Sequence, residues 1–169
     1  LREKFGSIMP KAAFVTGVFL LLASLALTTC ARNDTWKSRI SLWEDVIKKS
    51  PRVALGHYTL GNSYMENRMV DEAIKEYQKV LQLAPFYKKI YFALGVAYVD
   101  KAQYDVAISL YQRELGIDYN HAEAHQNLGY AYMRKGDFRK AKEEFEIGLK
   151  MKPNNKSREY LNYVNESLL

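Results

Sequence analysis

One cysteine and three histidines are all that 169 residues offer as soft metal ligands. The lone Cys30 excludes an internal disulfide and any multi-cysteine metal site. His121 and His125 stand four apart and could share a metal from one helix face, but Glu123 between them projects roughly 160–200° away. Packed core histidines are the simpler reading, and no cofactor is expected. A glycine-rich phosphate loop, a nucleophile beside a base and a close carboxylate pair are also missing, so this segment is not read as an enzyme. Residues 53–169 hold sixteen Lys/Arg against fifteen Asp/Glu, whereas residues 1–52 hold nine against four. No basic stripe is left for nucleic acid, and the cationic excess lies in the first third of the chain, in and just beyond its first fifth.

That first fifth contains what the rest lacks, a long apolar run. Ala12 to Ala31 is twenty residues without a charge. As a helix it would extend roughly 30 Å, the thickness of the hydrocarbon core of a bilayer. A membrane-spanning helix is therefore expected from about Met9, with Pro10 tolerated in its first turn. Cys30 closes the run; Thr29 before it is bulkier than the small residue that precedes a lipidated cysteine, so Cys30 reads as a membrane-interface residue. Cations flank the run on both sides (Arg2, Lys4 and Lys11; Arg32, Lys37 and Arg39), and charge alone gives no orientation. The chain starts at Leu1, as a piece of a longer protein would.

Beyond Arg32 a single motif is written three times. Leu60-Gly61-x-x-Tyr64, Leu94-Gly95-x-x-Tyr98 and Leu128-Gly129-x-x-Tyr132 recur every 34 residues, and three of the four prolines (Pro51, Pro85, Pro153) keep the same interval, with Tyr119 at the missing beat. Repetition at this period predicts stacked helical hairpins. The units are 54–87, 88–121 and 122–155. Their first helices are expected near 52–66, 86–100 and 120–134, and their second near 70–83, 104–117 and 138–151. The breaks fall at Asn67-Arg68-Met69, Lys101-Ala102-Gln103 and Lys135-Gly136-Asp137. A glycine within a helix costs about 1 kcal/mol against alanine, so Gly61, Gly95 and Gly129 point to close backbone approach, opposite the small Ala73, Ala107 and Ala141. Trp36, Ile40, Trp43 and Ile47 form the stripe of a preceding helix ending near Lys49, with capping oxygens in Asn33-Asp34-Thr35. A final half-apolar helix over about 156–168 (Leu161, Val164, Leu168) would cover the last hairpin.

These residues resemble the tetratricopeptide repeat, a 34-residue helix–turn–helix unit. His57, Tyr91 and His125 stand where the family has tryptophan; Val80 and Glu114 stand where it has a small residue, which Gly148 keeps. The fold expected is all-α: a transmembrane helix (1–32), an N-terminal capping helix (33–50), an α-α superhelical solenoid of three repeats within 51–155, and a C-terminal capping helix (156–169). The junction Arg32-Asn33-Asp34-Thr35-Trp36 to Ser50-Pro51 resembles the C-terminal part of bacterial multi-spanning repeat proteins related to O-mannosyltransferases. That resemblance implies extracytoplasmic repeats and, as an alternative function, the accessory tail of a membrane glycosyltransferase with its catalytic part upstream.

What the repeat resemblance implies is a protein-interaction scaffold whose first helices line a concave groove. The inward positions carried over are Leu55, Tyr58, Asn62 and Met65 in the first unit, Lys89, Phe92, Val96 and Val99 in the second, and Gln126, Tyr130 and Met133 in the third. Asn62 and Gln126 could bond a peptide backbone. The expected partners are a protein or peptide in the groove and the membrane through residues 12–31, with self-association of the array as a rival use of that face and no nucleic acid. Relatives that clamp a chaperone C-terminal carboxylate use lysine, asparagine and arginine at set positions. Here those positions hold Tyr58, Asn62, Ala93, Glu123 and Asn127, which supply no cation.

Overall fold

The computed structural model describes residues 38–169. The expected span at 12–31, the Asn33–Thr35 cap and Trp36 lie outside them. Among the described residues every regular element is helical, and no helix is long and apolar enough to cross a membrane. Trp43–Leu169 forms one compact unit, whose boundary falls inside the first helix.

That helix, α1, runs Arg39–Lys49. Its first turn is capped by Ser38, whose Oγ accepts from the Ser41 N–H at 3.1 Å. Three hairpins and a last helix follow. They are α2 (Ala54–Glu66) with α3 (Val70–Leu83), α4 (Ile90–Asp100) with α5 (Tyr104–Ile117), α6 (Ala122–Lys135) with α7 (Phe138–Met151), and then α8 (Asn155–Glu166). The second helices have the bounds the repeat pattern predicts. The first helices begin later than predicted, and α4 begins latest.

The hairpins close as the small-residue pattern requires. Ala73, Ala107 and Ala141 are wholly buried, and Leu60, Leu94 and Leu128 are nearly so. A Cβ on Gly61 or Gly95 would lie 2.5 Å from the ring of Tyr77 or Tyr111, and on Gly129 3.0 Å from Phe145. Each glycine thus admits an aromatic ring of the second helix against its own backbone. Two cores result: one joins α3 and α4, the other joins α5, α6, α7 and α8. Val164 of α8 is fully buried in the second core, whereas Leu168 lies past the helix end and is exposed.

The turns inside the hairpins repeat too. Arg68, Ala102 and Gly136, 34 residues apart, all adopt positive φ (60°, 55° and 83°). Only the third is the residue type that enters this region without a steric penalty.

Candidate functional site: a face lined by the first helices

Four side chains at the repeat interval, Tyr58, Phe92, Gln126 and Tyr160, mark the face shared by α2, α4, α6 and α8. Tyr58 tilts against Tyr77 of its own hairpin (5.9 Å) and Tyr87 of the junction that follows it (5.1 Å). Phe92 repeats this geometry with Tyr111 (5.9 Å) and His121 (4.7 Å). Each aromatic therefore staples one hairpin to its successor while one edge stays half-exposed.

Two hollows open on this face, each of about 330 Å³. The first lies between α2 and α4 and is lined by Tyr58, Asn62, Met65, Phe92 and Val96, with Glu66, Ala93 and Tyr77. The second lies between α4, α6 and α8. Val96, Val99, Gln126 and Tyr130 line it, together with Asp100 and Asn127 and with Asn154, Lys156, Ser157 and Tyr160 of the last helix and its cap. Val96 belongs to both, so the hollows share a wall.

Of the predicted groove residues, Leu55, Lys89 and Met133 line neither hollow. Leu55 is exposed at the start of α2, Lys89 sits in a left-handed turn before α4, and Met133 packs on the second core. Gln126 needs a correction. It is 5% exposed, and its Nε2 donates to the Gly148 (3.1 Å) and Lys152 (2.7 Å) carbonyls while Oε1 accepts from Asn154 Nδ2 (2.8 Å). The amide closes the end of α7 and is not available to a peptide backbone. Gly148 makes room for it: a Cβ there would lie 2.7 Å from Gln126 Cγ. Asn62 does face its hollow, oriented by the Tyr77 hydroxyl, which donates to Oδ1 at 2.7 Å.

Sequence reasoning passed over the contribution of α8. The signal was present, because Tyr160 continues the series 58, 92, 126 and Val164 continues 62, 96, 130. The last helix is a fourth first-helix in register. Its Tyr160 lies 5.2 Å from Tyr130, and Lys156 sits over the Tyr160 ring at 5.8 Å.

Electrostatically the hollows are mild. Burial pushes the Tyr77 and Tyr111 hydroxyls well above the ordinary phenol value; a hydrogen bond to Asn127 opposes this at Tyr111. Both remain neutral at physiological pH. Charge is supplied by Glu66 and Asp100 along one rim and Lys156 at one end. The set offers apolar and aromatic surface with a few hydrogen-bonding groups, which suits binding.

The buried histidines serve the frame. His57 Nε2–H donates to the Pro51 carbonyl (2.9 Å) and Nδ1 lies 2.6 Å from Glu76 Oε2. His125 repeats this with the Tyr119 carbonyl (2.9 Å) and Glu144 (2.6 Å). A carbonyl only accepts, so Nε2 is the donor in each of these two bonds. His121 Nδ1 lies 2.9 Å from the buried Glu114. Each histidine is thus committed to a structural bond, and His125 and His121 answer to different carboxylates.

Sequence models described as tetratricopeptide repeat match residues 54–87 and 122–155, and a second model of the same description matches 90–123. No curated protein matches the chain. Among solved structures, the crystal structure of MamA superposes with a TM-score of 0.71 at 26% identity, over 76% of this chain and 75% of that one. The first such repeat domain of Spaghetti (RPAP3), solved with the HSP90 peptide SRMEEVD, gives 0.66 at 24%, covering 68% and 92%. The Sgt2 domain from Aspergillus fumigatus gives 0.63 at 22%, covering 68% and 78%.

Proposed function

Since this chain belongs to the tetratricopeptide repeat family, we propose that it is an interaction scaffold holding one peptide segment of a partner protein across the two hollows joined at Val96. The observation that carries the reading is their continuity: half-exposed Tyr58, Phe92 and Tyr130 alternate with Asn62 and Asp100 along a single face. An open apolar strip of this kind, rimmed by polar groups, is the usual mark of a binding surface. The ligand differs from a chaperone C-terminus, because Tyr58, Ala93, Glu123 and Asn127 provide no cationic clamp for a carboxylate. Residues 12–31 tether the scaffold to a bilayer, with the repeats on the extracytoplasmic side, and so concentrate it near partners in the same membrane. Support for the tether is the twenty-residue uncharged run alone. The glycosyltransferase-tail alternative rests on the junction at 32–51, and the comparisons lend it no support.

The test is selection of a displayed random peptide library on the full chain, followed by binding of the enriched peptides to variants. Val96→Arg fills the shared wall with charge and should weaken binding about tenfold or more, with unchanged helical circular dichroism. Absence of any enriched peptide, or equal binding by Val96→Arg, would remove the groove assignment.

A further inference from the structure

The helix ends of the stack form two edges, and their chemistry differs. Turns inside the hairpins (66–71, 100–105, 134–137) carry five carboxylates against four cations. Several of these charges are paired: Lys101 reaches Asp71 of the preceding hairpin at 2.6 Å, Lys135 bonds Asp105 of the preceding hairpin, and Asp137 is met by Lys140 of its own helix at 3.0 Å. The junctions between hairpins (50–53, 84–89, 118–121, 152–154) carry Arg52, Lys88, Lys89 and Lys152 against Asp118 alone. Among the described residues only Lys152 of these cations is paired, with Glu123 at 2.5 Å.

The same junction edge exposes its apolar side chains. Phe86 is 89% exposed, Tyr119 60% and Ile117 59%, with Val53, Leu83 and Met151 each about two-fifths exposed. Leu83, Ile117 and Met151 are the last residues of α3, α5 and α7 or next to them in register, 34 apart, so the repeat itself lays them in a row. They protrude from separate helix ends and loops: Leu83 borders a hollow of about 270 Å³ beside His57, Tyr119 meets the His125 ring edge-on at 5.0 Å, and the others line neither hollow of the first-helix face. A row of separate apolar tips has no shape for a partner side chain to fill.

We propose that this edge docks on an anionic lipid surface. Phe86, Ile117 and Tyr119 enter the boundary between headgroups and acyl chains, a deformable medium that accepts isolated tips. Arg52, Lys88 and Lys89 face the headgroup phosphates and carboxylates, the counter-charges that the described residues do not supply. The surface lies at the ends of the helices and leaves the face lined by the first helices free.

The test places one reporter on each edge of the full chain, reconstituted in vesicles of phosphatidylserine and phosphatidylcholine with brominated acyl chains. Tryptophan is introduced as Phe86→Trp on the junction edge and as Met69→Trp on the turn edge. The fluorescence of the unsubstituted chain is subtracted from each, and circular dichroism checks every variant. The added signal at 86 should be quenched and that at 69 should not. Quenching at 86 should be lost in phosphatidylcholine alone and in Lys88→Glu/Lys89→Glu. No quenching at 86, or equal quenching at both positions, overturns the proposal, including the case in which an acidic protein is the true occupant. Quenching that survives in the double glutamate variant also overturns it.

Discussion

The middle hairpin and its two neighbours begin their first helices by different means. In the outer pair a histidine, His57 or His125, ties the preceding loop carbonyl to a glutamate of the second helix, Glu76 or Glu144. The middle hairpin has Tyr91 and Leu110 at those two places. It buries Glu114 instead, whose carboxylate accepts from the Phe92 N–H (3.3 Å), a first-turn donor of α4, and faces His121 at 2.9 Å. Lys89 then takes a left-handed conformation (φ 66°) and α4 starts at Ile90, two residues behind the equivalent Ala54 and Ala122. One period is therefore compatible with two local solutions. What is common is a carboxylate of the second helix brought to the start of the first.

Overpacking at the shared seam should erase the comparison altogether. In Gly95→Val a Cβ would meet the Tyr111 ring at 2.5 Å, and a loss of about 3 kcal/mol should appear in urea unfolding. Gly116→Ala, with nothing within 4 Å, should not destabilise. Glu114→Ala strands the Phe92 N–H and His121 together, and should cost about 2–3 kcal/mol. His125→Ala strands Glu144 and should be comparable; if only one of the two is costly, the two solutions are not equivalent. A smaller effect separates the turns: Gly136→Ala should cost about 1 kcal/mol, while Ala102→Gly should gain up to about 1 kcal/mol, both read as shifts of the thermal midpoint.

The smallest contrast is in alkaline stability. The Tyr64 hydroxyl is pushed up to about 12 by burial and then by its hydrogen bond to Glu44 Oε1 (2.8 Å). A raised value means that the fold favours the neutral phenol, so the contribution is whole below the ordinary phenol range near 10 and is lost between there and about 12. Tyr132, at the same repeat position, accepts from Gln112 Nε2 at 3.0 Å and meets no carboxylate there. Melting temperatures from pH 9 to 12 should fall less in Tyr64→Phe than in the parent.

Much of the fold was legible because helical packing writes its constraints at a fixed period. Gly61, Gly95 and Gly129 announced the ring contacts, and the second helices follow from apolar spacing and the turn residues. The starts of the first helices were not legible. Whether a helix begins at Ala54 or at Ile90 depends on tertiary bonds from His57 and Glu114, which local pattern does not encode. The candidate face was half legible. Tyr58, Phe92, Val96 and Tyr130 fall where the repeat puts them, but Gln126 was drawn away by carbonyls 22 and 26 residues later. The share of α8 is hard to read because no second helix follows it to complete a unit, although Tyr160 keeps the register.

Val96 stands as a party wall between two compartments, and for a peptide held as proposed its position would set a rule for length. A ligand with one anchor residue must settle for either chamber, and two such ligands would jostle over the same isopropyl group. A ligand whose anchors are spaced to straddle that group makes its second contact from within reach of the first, so two weak footholds add up to firm capture. A scaffold of the proposed kind would measure the distance between anchors before it read their identity.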